Sequence, residues 1–262
     1  MARAKNPTNE RILLATATGE PFQPVRLYWS FPPNAAVTQE LIRLRCVNEV
    51  EEARCWEWTY EGEAAGLAFG QPRSALPPKM QPIVIGRFRV SQKDRLVLHL
   101  RSFDRADEAA KFFAPLFGPK VALARARVIN RWFQAAEAKG GLDALDRLLD
   151  QNVVVIDPRQ SEETFERAMA GTRTQEEKAQ ALERYSQEGR KKDVPLVEDF
   201  PLAPQEETPA FSNLAMTLRL RTLRALEHWN GNTQLTLADV IHGLAERGDS
   251  DGAFDGVAPG VR

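Results

Sequence analysis

The stretch IVIGRFRVSQKDRLVLHLR, residues 83–101, decides the fold class. In its first half Phe88 and Val90 alternate with Arg87 and Arg89; in its second, Leu96, Leu98 and Leu100 alternate with Arg95, His99 and Arg101. A period of two is the mark of a strand with one buried face. The polar SQKD at 91–94 predicts a tight connection, so 83–90 and 96–101 pair as an antiparallel hairpin.

Working outward, residues 25–31 repeat the pattern, with Val25, Leu27, Trp29 and Phe31 opposite Arg26, Tyr28 and Ser30. Short alternating runs at 12–18, 41–47 and 55–61 predict further strands, and 62–81, with Pro72, Pro77 and Pro78, predicts a long loop. Helices follow. Asp104 with Asp107 predicts an N-cap for a helix running to about Phe113 and stopped by Pro115. Pro119 then opens a helix carrying Val121, Ala124, Val128, Trp132 and Ala135 to Gly140-Gly141. Residues 142–150 predict a short helix, and NVVVI at 152–156 a buried strand. Strands followed by helices predict an α+β fold, a mostly antiparallel sheet packed by helices.

Beyond this core domain at 10–156 the composition changes. In residues 157–207, 21 of 51 side chains are charged, which disfavours a core there. The capping box Thr174 with Glu177 predicts a helix to Glu188, and VPLVEDFPLAPQEETP at 194–209 predicts an extended acidic arm. Residues 208–248 predict a helical hairpin, its second helix capped by Thr236 and Asp239, and 249–262 a flexible tail.

Composition removes several function classes. The chain has no run near the roughly 18 apolar residues of a membrane span and no signal-peptide core, so a soluble, cytoplasmic protein is expected. Cys46 and Cys55 are nine positions apart and read as free thiols that could face each other across a hairpin. His99, His228 and His242 have no second ligand at metal spacing, so neither a metal nor a cofactor is expected. No nucleophile-elbow, zinc-protease, dinucleotide or phosphate-loop motif occurs. Asp157 reads as a turn former rather than a catalytic carboxylate.

Charge is unevenly spread. Residues 1–150 carry a net +5 and residues 151–262 a net −6, with 26 Arg against 9 Lys overall. Alternation gathers Arg26, Arg43, Arg45, Arg87, Arg89 and Arg101 onto the non-core face of the predicted sheet, where they can neutralise phosphates beside Tyr28. A solvated face, with Glu57 and Glu61 pairing some arginines, is the plainer reading. Trp56, Trp58 and Tyr60 read as core, and Arg221, Arg224 and His228 as the solvated side of a helix.

The arm supplies Leu196, Val197, Phe200 and Leu202 on a prolyl, acidic backbone, a chemistry suited to docking in a partner's groove or on the chain's own core. The preferred expectation is therefore a non-enzymatic adaptor or assembly subunit with protein partners. The alternative is a nucleic-acid-binding accessory protein using the arginine face, and a weaker one is an enzyme with an arginine and carboxylate site.

Overall fold

The computed structural model describes residues 11–33, 35–92, 94–202 and 210–248. The end of the expected arm at 203–209 and the expected tail at 249–262 lie outside them. The predicted hairpin is present as β4 (Val84–Gln92) and β5 (Arg95–Leu100), and the strands expected at 25–31 and 55–61 as β1 (Val25–Ser30) and β3 (Cys55–Thr59). With β2 (Val47–Val50), β6 (Ala122–Ile129), β7 (Val154–Val155) and β8 (Val197–Pro201) they form one sheet, ordered β2-β3-β4-β5-β1-β6-β8-β7. Neighbours pair antiparallel except β7 and β8. Helices α1 (Val37–Ile42), α2 (Phe103–Phe117), α3 (Leu142–Asp146), α4 (Pro158–Met169), α5 (Gln175–Arg190), α6 (Ala210–Trp229) and α7 (Leu237–Gly248) complete an α+β fold.

The chain divides into two compact units. The first runs to Ile156 and takes in Pro195–Leu218; the second takes Asp157–Val194 and the chain from Arg219 onward. All eight strands belong to the first.

The apolar face of the sheet is built from the positions that alternation assigned to it. Leu27 lies opposite Leu98, which lies opposite Phe88 and then Trp56; on its other side Leu27 faces Ala126 and Phe200. α2 packs its Phe103, Ala106, Ala110 and Phe113 into the same core. Phe113 meets Phe88 and Trp58 edge-on at 4.8 and 5.0 Å and stacks on Phe117 at 5.5 Å. Such pairs add about 0.5–1.5 kcal/mol each beyond burial. Trp58 and Tyr60 are fully buried, as core aromatics should be.

Several expectations are corrected. The helix expected from Pro119 is strand β6: its ALARARVI also alternates, and β1 and β8 supply ladder partners on both edges. The strand expected at 41–47 is replaced by α1, which buries Val37 and Leu41 one helical turn apart, and a turn into β2. The run at 12–18 contributes only isolated bridges at Leu13 and Ala15. NVVVI is an edge strand with Val154 and Val155 exposed, not a buried one. α2 is capped by Ser102, whose hydroxyl accepts from the Arg105 amide at 3.1 Å, and runs two residues past Pro115. Of the two dockings expected for the extended arm, on a partner or on the chain's own core, the structure has the second: its residues 197–201 are β8, paired on both edges in the chain's own sheet, with Val197, Phe200 and Leu202 buried and Leu196 exposed.

Cys46 and Cys55 are free and buried but do not face each other. Cys55 pairs with Val50, and the Cys46 carbonyl accepts from the Thr59 amide at 2.7 Å. Burial pushes the Cys46 thiol up to about 11, so it is an inert thiol at neutral pH.

In the second unit the predicted capping box closes α5: the Glu177 amide donates to Thr174 Oγ1 at 3.1 Å and the Thr174 amide to Glu177 Oε2 at 3.0 Å. Thr236 and Asp239 cap α7 in the same way. Asp157 caps α4 by accepting from the Arg159 amide at 3.0 Å. Arg221 and Arg224 are buried rather than solvated, and Arg224 Nε donates to Asp193 Oδ1 at 2.6 Å.

Gly86 is needed for close approach. A Cβ there would lie 2.8 Å from Leu98 Cδ1 and Leu100 Cδ2 and 3.3 Å from Trp58. Gly86→Val is therefore expected to cost about 1–3 kcal/mol by overpacking. Urea unfolding measures it, and an unchanged midpoint would contradict this packing.

Candidate anion-binding cleft

The polar face of the sheet is organised by one cross-strand row. In register, Asn48 lies opposite Glu57, Glu57 opposite Arg87, Arg87 opposite His99, and His99 opposite Arg26. Arg26 then faces Arg127, Arg127 faces Asp199, and Asp199 faces Val155. Charge pairing runs along it: Arg87 Nε donates to Glu57 at 2.9 Å, and Arg127 Nε to Asp199 at 2.8 Å. Arg26 Nε donates to His99 Nδ1 at 3.1 Å, and both its terminal nitrogens bind Asp150, Nη2 at 2.8 Å. Arg127 reaches the same Asp150 at 3.4 Å. Tyr28, one row along, lies buried under Arg125, whose guanidinium is 4.1 Å from the ring centroid, and beside Arg127.

The segment 142–150 supplies three carboxylates to this face. Asp143, Asp146 and Asp150 stand at i, i+3 and i+7, within one side of a helical turn pattern. Asp143 and Asp146 accept from Arg101 at 2.8 and 2.7 Å. Leu145 and Leu149 anchor the segment in a small second core with Phe22, Ile129, Phe133 and Val197. The Arg26 hydrogen bond holds the Asp150 carboxyl below its ordinary range, burial opposing; burial pushes Asp146 up, against the pull of Arg101.

Between this segment and strands β1, β4 and β5 lies a cleft of about 400 Å³. Arg26, Arg87, Arg89, His99, Arg101, Arg105 and Arg147 line it together with Asp143 and Asp146, and Ile85 and Leu149 supply apolar wall. The side chains of Arg89 and Arg147, both exposed, have no ion-pair or hydrogen-bond partner among the described residues. Arg105 is 3% exposed. Its Nη2 donates to Thr18 Oγ1 at 2.6 Å and lies 3.7 Å from Glu20, while its Nε has no partner. Glu20 in turn accepts from Thr18 at 2.7 Å, so one carboxylate and one guanidinium are buried together.

His99 is set as a donor. Because Nδ1 accepts from Arg26, the neutral ring carries its proton on Nε2. Burial first, then the Arg26 and Arg89 charges, depress it to about 4, so it stays neutral at physiological pH and is a poor proton acceptor there.

Of the six arginines singled out from sequence, Arg26, Arg87, Arg89 and Arg101 come together in the cleft. Arg43 and Arg45 do not: Arg43 follows α1 and pairs with Glu40, and Arg45 lies in the next turn and pairs with Glu63. Arg105, Arg127, Arg147 and the three aspartates were missed. The alternation of Arg125 and Arg127, read as a strand, would have revealed Arg127, and the 143, 146, 150 spacing the aspartates; no sequence signal marks Arg105 or Arg147. Among the described residues no cluster of His, Cys, Asp and Glu is placed to hold a metal ion, and no helix is long and apolar enough to cross a membrane.

Fold and site together describe an α+β chain with a cationic cleft on the polar face of its sheet. No protein-family model matches this chain, and no curated protein or solved structure matches it either.

The neutral His99 carries a pH signature. The unfolded ring binds a proton below its ordinary 6.5, the folded one only below about 4. Stability should therefore fall as pH drops through that window and level off beneath it. His99→Gln, which keeps an acceptor for Arg26, should flatten this part of the profile in urea unfolding between pH 7 and 4. Identical profiles for the two proteins would refute the assignment.

Proposed function

We propose that this chain is a binding protein that takes a small, multiply charged anion in the cleft on its polar sheet face. The observation that carries the proposal is the set of cations there without protein counter-ions: the exposed side chains of Arg89 and Arg147, beside a buried Arg105 with an unpartnered Nε. Of the three only Arg105 is desolvated, and its unpartnered Nε costs free energy that a bound anion relieves, while Arg89 and Arg147 add charge attraction from the open side. A volume of about 400 Å³ is in the range of small-ligand sites, which start near 300 Å³. The neutral His99 adds an N–H donor rather than an acid or base, which favours binding over proton-transfer chemistry.

The two expectations ranked first from sequence draw less support. The adaptor reading used the sheet face and an acidic arm free to dock on a partner, and three of the arm's four apolar side chains are buried in β8 and just after it. Nucleic-acid binding leaned on a track of free arginines with a stacking Tyr28. That ring is covered by Arg125 and Arg127, and most of the arginines already have carboxylate partners.

Isothermal titration with inorganic pyrophosphate in low salt should give saturable, stoichiometric binding that weakens as ionic strength rises. Arg89→Ala with Arg147→Ala should reduce affinity about tenfold or more, given the ~1.5–3 kcal/mol of a charged hydrogen bond. Arg43→Ala with Arg45→Ala should leave it unchanged. Equal losses in both double variants would mean general charge attraction and no cleft site.

A further inference from the structure

We infer that the ligand of this cleft is an organic phosphate carrying two or more negative charges, and that it binds by taking Arg101 from Asp143 and Asp146, which occupy the site as internal counter-ions. This rests on the anion-binding reading above.

The donors argue for phosphate over carboxylate. Arg89 comes from β4, His99 from β5, Arg105 from α2 and Arg147 from the turn after α3, so they approach from four separate pieces of chain. A planar carboxylate is satisfied by one guanidinium fork in its own plane. A tetrahedral phosphate presents several oxygens in different directions and has room for donors from several sides. The apolar wall of Ile85 and Leu149 lies in the same cleft, where it can cover the organic part of an ester but nothing on a bare inorganic ion.

The aspartates argue for displacement. Arg101 is held at the cleft by two carboxylates at once, through Asp143 at 2.8 Å and Asp146 at 2.7 Å. The Asp143 side chain is 78% exposed, and an ion pair with so open a partner contributes little to folding. Asp146 is more enclosed, and burial raises its pKa, so its charge is held there at a cost in solvation. A doubly charged phosphate offers Arg101 the same number of anionic acceptors in one group and adds contacts to the unpaired cations. A monocarboxylate replaces only one of the two aspartates and leaves the other opposing it.

The test compares phenyl phosphate with benzoate, which share a ring and differ in head group, on the full-length chain and on Asp143→Asn and Asp146→Asn. Phenyl phosphate should bind wild type at least tenfold more tightly than benzoate. Each Asn variant should bind phenyl phosphate about three- to tenfold more tightly than wild type, because a competing carboxylate is gone. Asp143→Asn is the safer probe, since its exposure predicts an unchanged unfolding midpoint without ligand; a midpoint measurement on both variants separates misfolding from altered binding. Comparable affinity for benzoate would overturn the phosphate class. Unchanged or weaker phenyl phosphate binding in a folded Asp143→Asn would overturn displacement while leaving anion binding intact. If neither phenyl phosphate nor inorganic pyrophosphate binds wild type or the variants, the anion-binding reading itself falls.

Discussion

A row of charged side chains crossing the sheet from Glu57 through Arg87, His99, Arg26 and Arg127 to Asp199 constrains everything on the polar side of this fold. Stacking Arg26 directly between His99 and Arg127 would set like charges side by side, an arrangement that destabilises a sheet unless it is answered. It is answered twice. His99 gives up its charge, and Asp150 and Asp199 place carboxylates against Arg26 and Arg127. The segment bearing Asp150 is thereby held to the sheet by ion pairs at one set of positions and by Leu145 and Leu149 at another. The cleft lies where that segment covers only part of the row, with Arg147 of the segment itself and Arg89, two residues beyond Arg87 on β4, at its edge without carboxylate partners.

The opposite face imposes a different constraint. Its cross-strand neighbours are large and apolar, and the α2 aromatics interlock with them, so shape rather than charge decides what fits. Gly86 sits at the tightest point of that packing, between Leu98, Leu100 and Trp58, and the next residue along β4 is Arg87 of the charged row. One strand thus carries both constraints on alternate side chains.

Much of this was legible from alternation alone. The strands carrying Arg26, Arg87, Arg89 and Arg101 declared their two faces in sequence, and four of six predicted arginines meet in one cleft as a result. Errors arose where one pattern satisfies two periods. ALARARVI at 122–129 contains apolar residues at both helical and strand spacing, and only its pairing with β1 and β8 selects the strand. At 37–47 the reverse happened, because the spacing of Val37 and Leu41 fits a helix as well as the later residues fit a strand. The strand within the arm is hidden because Pro195, Pro201 and two carboxylates disguise PLVEDFP, yet Asp199 and Glu198 are buried there by Arg127 and by the Asn130 amide at 3.0 Å. A buried acidic strand is legible only once its cationic partners are known to be near, and those lie some seventy residues earlier in the chain.

The central claim is that the free cations of the polar face form one anion site. Arginine Nε–Hε resonances followed by two-dimensional NMR, as inorganic pyrophosphate is titrated in, test it most directly. The account predicts that the signals of Arg89, Arg101 and Arg147 move together and saturate at one equivalent, while those of Arg43 and Arg45 stay in place. Shifts scattered over Arg43, Arg45 and the cleft alike, without saturation, would contradict it.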